Sequence, residues 1–412
     1  MKRIAHVIHG SPASSMGGTG LYVEALARAQ AKDGHATAIV APDRGGSTRK
    51  TNSEGPVEEW SVGMTPVRSW AQTWSPSTEA WKAWCAEWKP DVVHVHHLSG
   101  WPLNLVAATP CKTVLTLHDY AIPCARGQLV TLDLSLCEGP NPQACTACLG
   151  PALSTHPALQ RGAKILARAP RIYAAIRRLY PVKTGQVHPD VQARLLAAGA
   201  ALDAADVLLS PSKDLANRME TFGFRRPEHT SLPLVQPTCP VVTPKPGPVR
   251  FLFASSIIPT KGVDRLIRAF ARLQDDATLT IAGHSPPFDG HPRFAASLEQ
   301  AVQSIPGVDW LGAIEPQAVT SLIATHDVLV LPSIWPENSP LIVREASAQG
   351  LPIIGPTLGG TKELVPEADC VGNEVELFEA LKSAVRRGRT RLPPKKWPSP
   401  AEHAAQLISQ VY

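Results

Sequence analysis

The chain has 412 residues, of which 44% are hydrophobic and 18% are charged, and its formal net charge is +5. This length exceeds what one hydrophobic core usually organises, so two globular domains are predicted, and the small charge gives no indication of a nucleic-acid partner. No apolar run is long enough to cross a membrane, and the one that ends at His9 is too short for a secretory signal. We therefore expect a cytoplasmic protein.

The first hundred residues alternate between strand-like and helix-like patterns. RIAHVIH predicts a strand, residues 20–32 a helix, and ATAIVAP a second strand; DVVHVHH and KTVLTLH predict two more. Residues 52–88 carry six tryptophans, and we interpret them as an irregular insertion followed by a helix that ends near Trp88. Strands separated by helices predict a parallel sheet with crossover helices.

The second half of the chain repeats this alternation after a proline-rich stretch. We predict a first domain at 1–235 with a Cys-rich insertion at 124–148, a linker at 236–248 and a second domain at 249–395. Residues 396–412 predict a helix that packs back on the first domain. The fold class is α/β, with two Rossmann-like, doubly wound domains that face each other across a cleft, where such sheets bind ligands.

Two predicted strand ends carry residues suited to an anion. Gly17 and Gly18 precede the first helix, whose N-terminal N–H groups favour a phosphate. The loop does not read GxGxxG, and the glycines could equally serve a turn that needs positive φ. Lys261, in SIIPTKGVDRL, lies at a strand-to-helix turn where its ammonium suits a diphosphate, although a single lysine is more often simply solvated.

Two glutamates eight positions apart stand in PENSPLIVREASAQG. Ser339 is a predicted N-cap, so the free N–H groups of Leu341 and Ile342 would face the cleft. Helical side chains lean toward the N-terminus, which lets Glu345 reach a ligand hydroxyl there. Glu337, just ahead, could accept hydrogen bonds from other hydroxyls. The alternative is that acids near a helix N-terminus only complement its dipole.

The residues from Val249 to Val365 resemble the donor half of retaining glycosyltransferases of family 4, also called glycosyl transferases group 1, which have the GT-B fold. The resemblance rests on TKG, on the two glutamates in PENSPLIVREASAQGLPII and on GGTKEL. In the first domain it rests on MGGTGLYVEALARA, DVVHVHH and LTLHDY, so it covers most of the chain. It implies an acceptor-side first domain and a second domain that binds a nucleotide sugar.

The resemblance implies transfer of a sugar from a UDP-, GDP- or ADP-sugar to a carbohydrate, lipid-linked or small-molecule acceptor, with retention and without a cofactor, as in polysaccharide biosynthesis. Glu337 would contact the donor sugar, Lys261 the diphosphate, and His118 would lie beside the reacting sugar. Glu345 would hold the ribose. Ser256 stands where the family often has an arginine, which makes Lys261 the main phosphate cation. The implied donor-binding set is Gly17, Gly18, Ser256, Lys261, Ser339, Leu341, Ile342 and Glu345.

Two other functions are compatible with the sequence. One is a sugar-nucleotide epimerase of the same fold, which would convert the donor without an acceptor. The other is a non-catalytic module that binds a sugar nucleotide or a metal, which the missing arginine and a cluster of cysteines make conceivable.

Four of the eight cysteines follow the LTLHDY strand with the spacing C-x12-C-x7-C-x2-C. Four thiolates with a terminal CxxC suit tetrahedral zinc, and a cytoplasmic setting disfavours disulfides. Free thiols, redox pairs and an iron–sulfur cluster are the alternatives. The predicted zinc ligands are Cys124, Cys137, Cys145 and Cys148.

Two further groups of residues invite a functional interpretation. His94 and His96 share a strand face, which suggests a metal, but without a third ligand the sequence favours histidines that line the cleft. Residues 161–183 contain seven Lys or Arg and no acid. This stretch could contact an anionic membrane surface at its inner face, receive an acidic acceptor or be a solvated face.

Overall fold

The structure is a computed structural model, and it describes residues 1–10, 17–44, 46–52, 55–64, 78–131, 133–149, 187–239, 247–273, 276–288 and 291–412. None of the helices in these ranges is long and apolar enough to cross a membrane. The basic stretch 161–183 and most of the predicted linker lie outside the described residues.

The first sheet has eight strands. They are β1 (Arg3–Val7), β2 (Ala36–Arg44), β3 (Arg49–Asn52), β4 (Val57–Met64), β5 (Val92–Val95), β6 (Lys112–Thr116), β7 (Val207–Ser210) and β8 (Glu228–His229). Their order is β3-β4-β2-β1-β5-β6-β7-β8, and every neighbouring pair is parallel except β3 with β4. The central strands are short, rich in Val and buried on both faces, as covered parallel strands require.

The second sheet is wholly parallel. Its strands are β9 (Val249–Ala254), β10 (Ala277–Ala282), β11 (Val308–Gly312), β12 (Val328–Val330), β13 (Ile353–Pro356) and β14 (Cys370–Val371). The order β11-β10-β9-β12-β13-β14 reverses direction between β9 and β12. That reversal is the topological switch point where doubly wound sheets bind ligands. The predicted α/β fold class with two doubly wound sheets is confirmed.

Helices cover both faces of each sheet. The described α-helices are α1 (Gly18–Lys32), α2 (Glu79–Trp88), α3 (Pro142–Leu149), α4 (Pro189–Asp203), α5 (Lys213–Thr221), α6 (Val263–Ala271), α7 (Phe294–Val302), α8 (Pro316–Thr325), α9 (Leu341–Ala348), α10 (Glu374–Arg387) and α11 (Pro400–Gln410).

The prediction for residues 52–88 is partly wrong. Strand β4 lies within this range and pairs with β2 along its whole length, where the sequence suggested an irregular insertion. Its charged residues disguise it, because near a sheet edge they can stay partly exposed. The helix that ends at Trp88 is confirmed. The indole of Trp88 stacks on that of Trp84, with ring centroids 5.3 Å apart. Trp81, Trp84 and Trp88 therefore contribute to the core on this face of the sheet, whereas residues 65–77 of the predicted insertion lie outside the described residues.

The last helix, α11, packs against α1 of the first sheet. Ser399 and Glu402 form a capping box that fixes its start. Within the interface the hydroxyl of Tyr22 and Nε2 of His403 are hydrogen-bonded at 2.9 Å, and Leu407 is buried beside them. The chain thus crosses back from the second sheet and ends on the first.

Gly262 is a position where the backbone itself constrains the sequence. It adopts φ +69° directly after Lys261, and an added Cβ would lie 2.0 Å from the carbonyl oxygen of Pro332. Gly34 has a similar φ of +86°, but no atom lies within 4 Å of where its Cβ would be. The two glycines therefore separate backbone strain from close packing.

We predict that Gly34→Ala lowers the free energy of unfolding by about 1 kcal/mol through its left-handed backbone alone. Gly262→Ala should cost clearly more, because the turn after β9 must also move away from Pro332. Denaturant unfolding followed by circular dichroism measures both. Equal losses in the two variants would contradict the close packing at Gly262.

Candidate active site

A cavity of about 350 Å³ lies between the two sheets, at the carboxyl ends of their strands. This volume falls within the range of small-molecule sites. The structure brings every predicted catalytic and donor-binding residue to its wall. These are Gly17, Gly18, His118, Ser256, Lys261, Glu337, Ser339, Leu341, Ile342 and Glu345.

The centre of the cavity holds an ion pair. Nζ of Lys261, from the turn after β9, donates to Oε1 of Glu337 at 2.5 Å. The hydroxyl of Ser333 donates to the same oxygen at 2.6 Å, and the ammonium lies 5.2 Å from the ring centroid of Trp335. Oε2 of Glu337 has no partner among the described residues, so it can accept a hydrogen bond from a ligand.

The two halves of the cleft meet at a buried asparagine that the sequence did not single out. Nδ2 of Asn338 donates to the carbonyl of Leu117 at 2.7 Å, and the hydroxyl of Ser212 donates to its Oδ1 at 2.5 Å. Glu363 adds a second bridge, because its carboxylate accepts the first N–H groups of α5. These contacts hold Glu337 opposite the first sheet.

Helix α9 presents its N-terminus to the cavity, although its start differs from the prediction. The N-cap is Pro340 and no side chain caps the helix, whereas Ser339 accepts a hydrogen bond from Nη2 of the buried Arg344 at 2.7 Å. The N–H groups of Leu341 and Ile342 consequently lack intrahelical acceptors. They lie on the cavity wall, where an anion could accept them.

Gly18 lies directly opposite this helix. An added Cβ would be 3.5 Å from the Leu341 side chain, so any larger residue would fill the gap between the two domains. Gly17 has a negative φ of −84°, which other residues adopt easily. A need for positive φ therefore does not explain Gly17, whereas a side chain at Gly18 would contact Leu341 of the second domain.

Glu345 is 7% exposed, and its carboxylate has no hydrogen bond or ion pair among the described residues. Burial raises its pKa to about 7. An acid of this kind is costly to keep charged in the free protein. It becomes favourable once a ligand supplies hydroxyl donors, and its place on the cavity wall allows that contact.

His118 is partly buried and forms the cavity-facing end of a chain of buried rings. Its Nε2 lies 3.2 Å from Nδ1 of His96, whose Nε2 lies 3.0 Å from Nδ1 of His6; Gln30 closes the chain at 2.8 Å. Burial lowers the pKa of His118 to about 3, so the ring is neutral at physiological pH. It can exchange a hydrogen bond with a ligand but supplies no cation.

His94 and His96 do not line the cavity, which corrects the prediction. Both are buried behind His118, because three neighbouring strands carry the rings and the register of β1 on β5 sets His6 beside His94. The nitrogens of the three rings are close enough to share a metal ion. They are already engaged, however, and His94 bonds to Thr116 at 2.7 Å and to Tyr412.

Sequence reasoning missed several other residues of the wall. His284 follows β10, and its Nε2 lies 3.4 Å from the hydroxyl of Ser256, while burial and the charge of Lys261 lower its pKa. Its position after a strand was the available signal. Tyr22, Asp119 and Trp335 complete the wall on either side.

The four clustered cysteines lie away from this cavity. All are free and half-buried. Among the described residues no three of their sulfur atoms lie within 4.8 Å of one another. The predicted zinc site is therefore separate from the cleft.

Two family models match the chain. Residues 16–188 match the model described as Glycosyltransferase Family 4, and residues 248–387 match the one described as Glycosyl transferases group 1. The two ranges together cover most of the chain, one on each sheet.

Two relatives with similar sequences are mannosyltransferases by name. A GDP-mannose-dependent monoacylated alpha-(1-6)-phosphatidylinositol monomannoside mannosyltransferase of Corynebacterium glutamicum is 29% identical over 150 residues, which are 32% of this chain and 38% of that protein. An MMP alpha-(1->4)-mannosyltransferase of Mycolicibacterium hassiacum is 30% identical over 133 residues, 31% of each chain. The matches span only about a third of each relative.

Solved structures resemble the chain over its whole length. Sucrose-phosphate synthase of Thermosynechococcus elongatus has a TM-score of 0.65 at 17% identity, covering 100% of this chain and 95% of that one. HepE of Anabaena, solved in complex with UDP-glucose, has a TM-score of 0.57 at 14% identity with the same coverage. At such identities the likeness shows the fold, which is GT-B.

The raised pKa of Glu345 predicts a pH-dependent stability for the ligand-free protein. Its folded-state pKa, about 7, lies above the ordinary value of 4.5. Stability is therefore undiminished below pH 4.5, falls as the pH rises from 4.5 to about 7 and is level above that. Glu345→Gln should match the parent near pH 4 and exceed its free energy of unfolding by up to about 3 kcal/mol at pH 8.

Denaturant unfolding at both pH values measures this difference. Glu299→Gln, an exposed change on α7, is the matched control and should show no such trend. A Glu345→Gln curve parallel to that of the parent across the pH range would show that Glu345 is not held in an unfavourable charged state.

Proposed function

Because the chain belongs to the glycosyltransferases of family 4 and group 1, we propose that it transfers a sugar from a nucleotide-sugar donor to an acceptor with retention of anomeric configuration. The observation that carries the proposal is the convergence of Lys261, Glu337 and Glu345 on one cavity between the two sheets. A cation, a carboxylate with a free oxygen and an unpaired buried carboxylate match the diphosphate, sugar and ribose of such a donor.

The donor would lie along the second sheet. Lys261 has three N–H donors and gives one to Glu337, so it can hold a diphosphate oxygen without breaking the ion pair. The free N–H groups of Leu341 and Ile342 would bind the same diphosphate. The ribose hydroxyls would donate to Glu345 and relieve its burial cost, while a sugar hydroxyl would donate to Oε2 of Glu337.

Catalysis in this arrangement is electrostatic. The nucleoside diphosphate leaves with negative charge, which Lys261 and the N-terminus of α9 stabilise in place. The carboxylates on the described wall are Asp119, Glu337 and Glu345. Asp119 is hydrogen-bonded to His97 at 2.8 Å, Glu337 is paired with Lys261 and would accept a sugar hydroxyl, and Glu345 would hold the ribose, so this arrangement assigns none of the three as a nucleophile. Attack by the acceptor on the face that the diphosphate leaves accounts best for retention.

The neutral ring of His118 would serve this step as a hydrogen-bond partner beside the sugar. The first sheet contributes it together with Gly18, and the acceptor would enter from that side. The name of the Corynebacterium relative supports GDP-mannose as a donor, the name of the Mycolicibacterium relative supports transfer of mannose, and the UDP-glucose complex of HepE supports a UDP-sugar. The lipid named in the first relative supports a lipid-linked acceptor, with glycans as the other class.

A donor panel tests the proposal. Purified protein is incubated with UDP-, GDP- and ADP-sugars, and thermal shift identifies the donor. Release of nucleoside diphosphate that depends on an acceptor, with an α-linked product from an α-linked donor by NMR, is the expected result. An epimerised donor without release would establish an epimerase, and tight donor binding without turnover in any acceptor mixture would establish a binding module.

Lys261→Ala should lower kcat by about 100-fold or more, because the leaving diphosphate loses its cation in the transition state. Glu337→Ala should be equally damaging, since it removes a sugar contact and leaves Lys261 without its buried partner. Lys382→Ala, a change at a partly exposed lysine of α10 away from the cavity, is the matched control and should keep the parent rate. Initial rates of nucleoside diphosphate release decide this, and near-parent rates in either cleft variant would exclude the assigned roles.

A further inference from the structure

A cluster of four cysteines lies beyond the end of β6, within residues 124–148. Two of its cysteines are held by turns: the N–H of Cys124 donates to the carbonyl of Tyr120 at 2.8 Å, and that of Cys137 to the carbonyl of Leu129 at 2.7 Å. Both side chains pack at the margin of the first core. The turns fix where the two thiols lie.

The other two cysteines are on α3. Cys145 and Cys148 are three residues apart, so their thiols share one face of the helix. Burial raises the pKa of both thiols, that of Cys148 to about 11, and the neighbouring Cys124 and Cys137 raise them further. Cys145 packs with Ala125, the residue after Cys124, around Leu149 and Val191, so α3 lies next to the turn that holds Cys124.

A buried arginine lies beside this cluster without a carboxylate partner in the part of the chain that the structure describes. Arg194, on α4, is 5% exposed, and its Nη1 and Nη2 donate to the carbonyls of Ile122 and Ala121, each at 2.8 Å. Its Nε has no hydrogen-bond partner among the described residues. The groups that could offset its charge are the thiols of Cys124 and Cys145.

This arrangement is unfavourable while the thiols are neutral. A buried charge without a counter-charge costs several kcal/mol, and a buried donor without an acceptor adds to that cost. Thiolate sulfur atoms beside Arg194 would offset its charge and accept its free Nε–H. A divalent metal ion bound by four cysteines supplies such thiolates, because it displaces the thiol protons to solvent and leaves a complex with net negative charge.

We propose that Cys124, Cys137, Cys145 and Cys148 bind a structural Zn²⁺ ion, and that Arg194 donates its free Nε–H to one of the metal-bound sulfur atoms. Four thiolates in tetrahedral array are typical of structural zinc sites. Binding entails rotation of the cysteine side chains toward a common centre, since their sulfur atoms are not yet at ligand spacing. Arg194 is a positioning residue, of the kind that donates to the ligands of a metal.

The site would stabilise one wall of the cleft without entering it. His118 and Asp119 lie just after β6. Ala121 and Ile122, whose carbonyls accept hydrogen bonds from Arg194, come next in the chain. A metal ion bound to Cys124 would tie the same loop to α3. Zinc binding at this site does not depend on sugar transfer.

Metal analysis of the full chain, purified without chelator, tests the proposal. We expect stoichiometric zinc in the parent and in the control Cys370→Ser, and loss of most zinc in Cys145→Ser. Arg194→Gln should retain the site but bind Zn²⁺ about 10- to 100-fold more weakly in competition with a chromogenic chelator. Unchanged zinc affinity in Arg194→Gln would remove Arg194 from the site.

Alkylation of the parent protein covers the case in which Cys145→Ser does not fold. Zinc added to reduced, metal-free protein should protect the four clustered cysteines from iodoacetamide, read by peptide mass spectrometry, while Cys239 and Cys370 stay reactive. Protection of no cysteine would overturn the proposal. Disulfide-linked peptides in freshly purified protein, or bound iron in place of zinc, would overturn it too.

Discussion

The ion pair between Lys261 and Glu337 is the contact on which the cleft depends. The two side chains come from turns that follow β9 and β12, the neighbouring strands at which the order of the second sheet reverses. A parallel sheet leaves the ends of these strands uncovered, and the pair occupies that gap. Gly262 makes the first turn tight enough, and Ser333 orients the carboxylate in the second. Asn338 then fixes the turn against the first sheet.

The cleft also contains polar groups that lack hydrogen-bond partners among the described residues and that a ligand could supply with them. Among the described residues Glu345 is buried and unpaired, the first N–H groups of α9 lack acceptors, and Oε2 of Glu337 has no partner. Folding tolerates these because the hydrophobic cores on each sheet supply the stability. A ligand with hydroxyl donors and an anionic centre would give each of these groups a hydrogen-bond partner. The cleft is therefore preorganised for such a ligand. His118 contributes differently, since a chain of neutral rings fixes its orientation without adding charge.

The sequence predicts the fold well because its signals are local. Short Val-rich runs and helical periodicity identify most strands and helices, and strand ends identify where the cavity lies. Strand β4 is missed because its charged residues resemble a loop when the sheet edge is unknown. The prediction that Ser339 is the N-cap is wrong because its hydroxyl accepts a hydrogen bond from Arg344, a contact that exists only once the helix has formed. The ring chain behind His118 and the bridge at Asn338 depend on strand order and on domain placement, which no local pattern encodes.

An experimental structure with an intact or non-hydrolysable nucleotide sugar would show which groups of the cleft hold the donor. We expect the ribose hydroxyls on Glu345, the diphosphate on Lys261 and the N-terminus of α9, and a sugar hydroxyl on Oε2 of Glu337, with the Lys261–Glu337 contact preserved. A donor bound elsewhere, or bound in the cleft with Glu345 still without a partner, would contradict it.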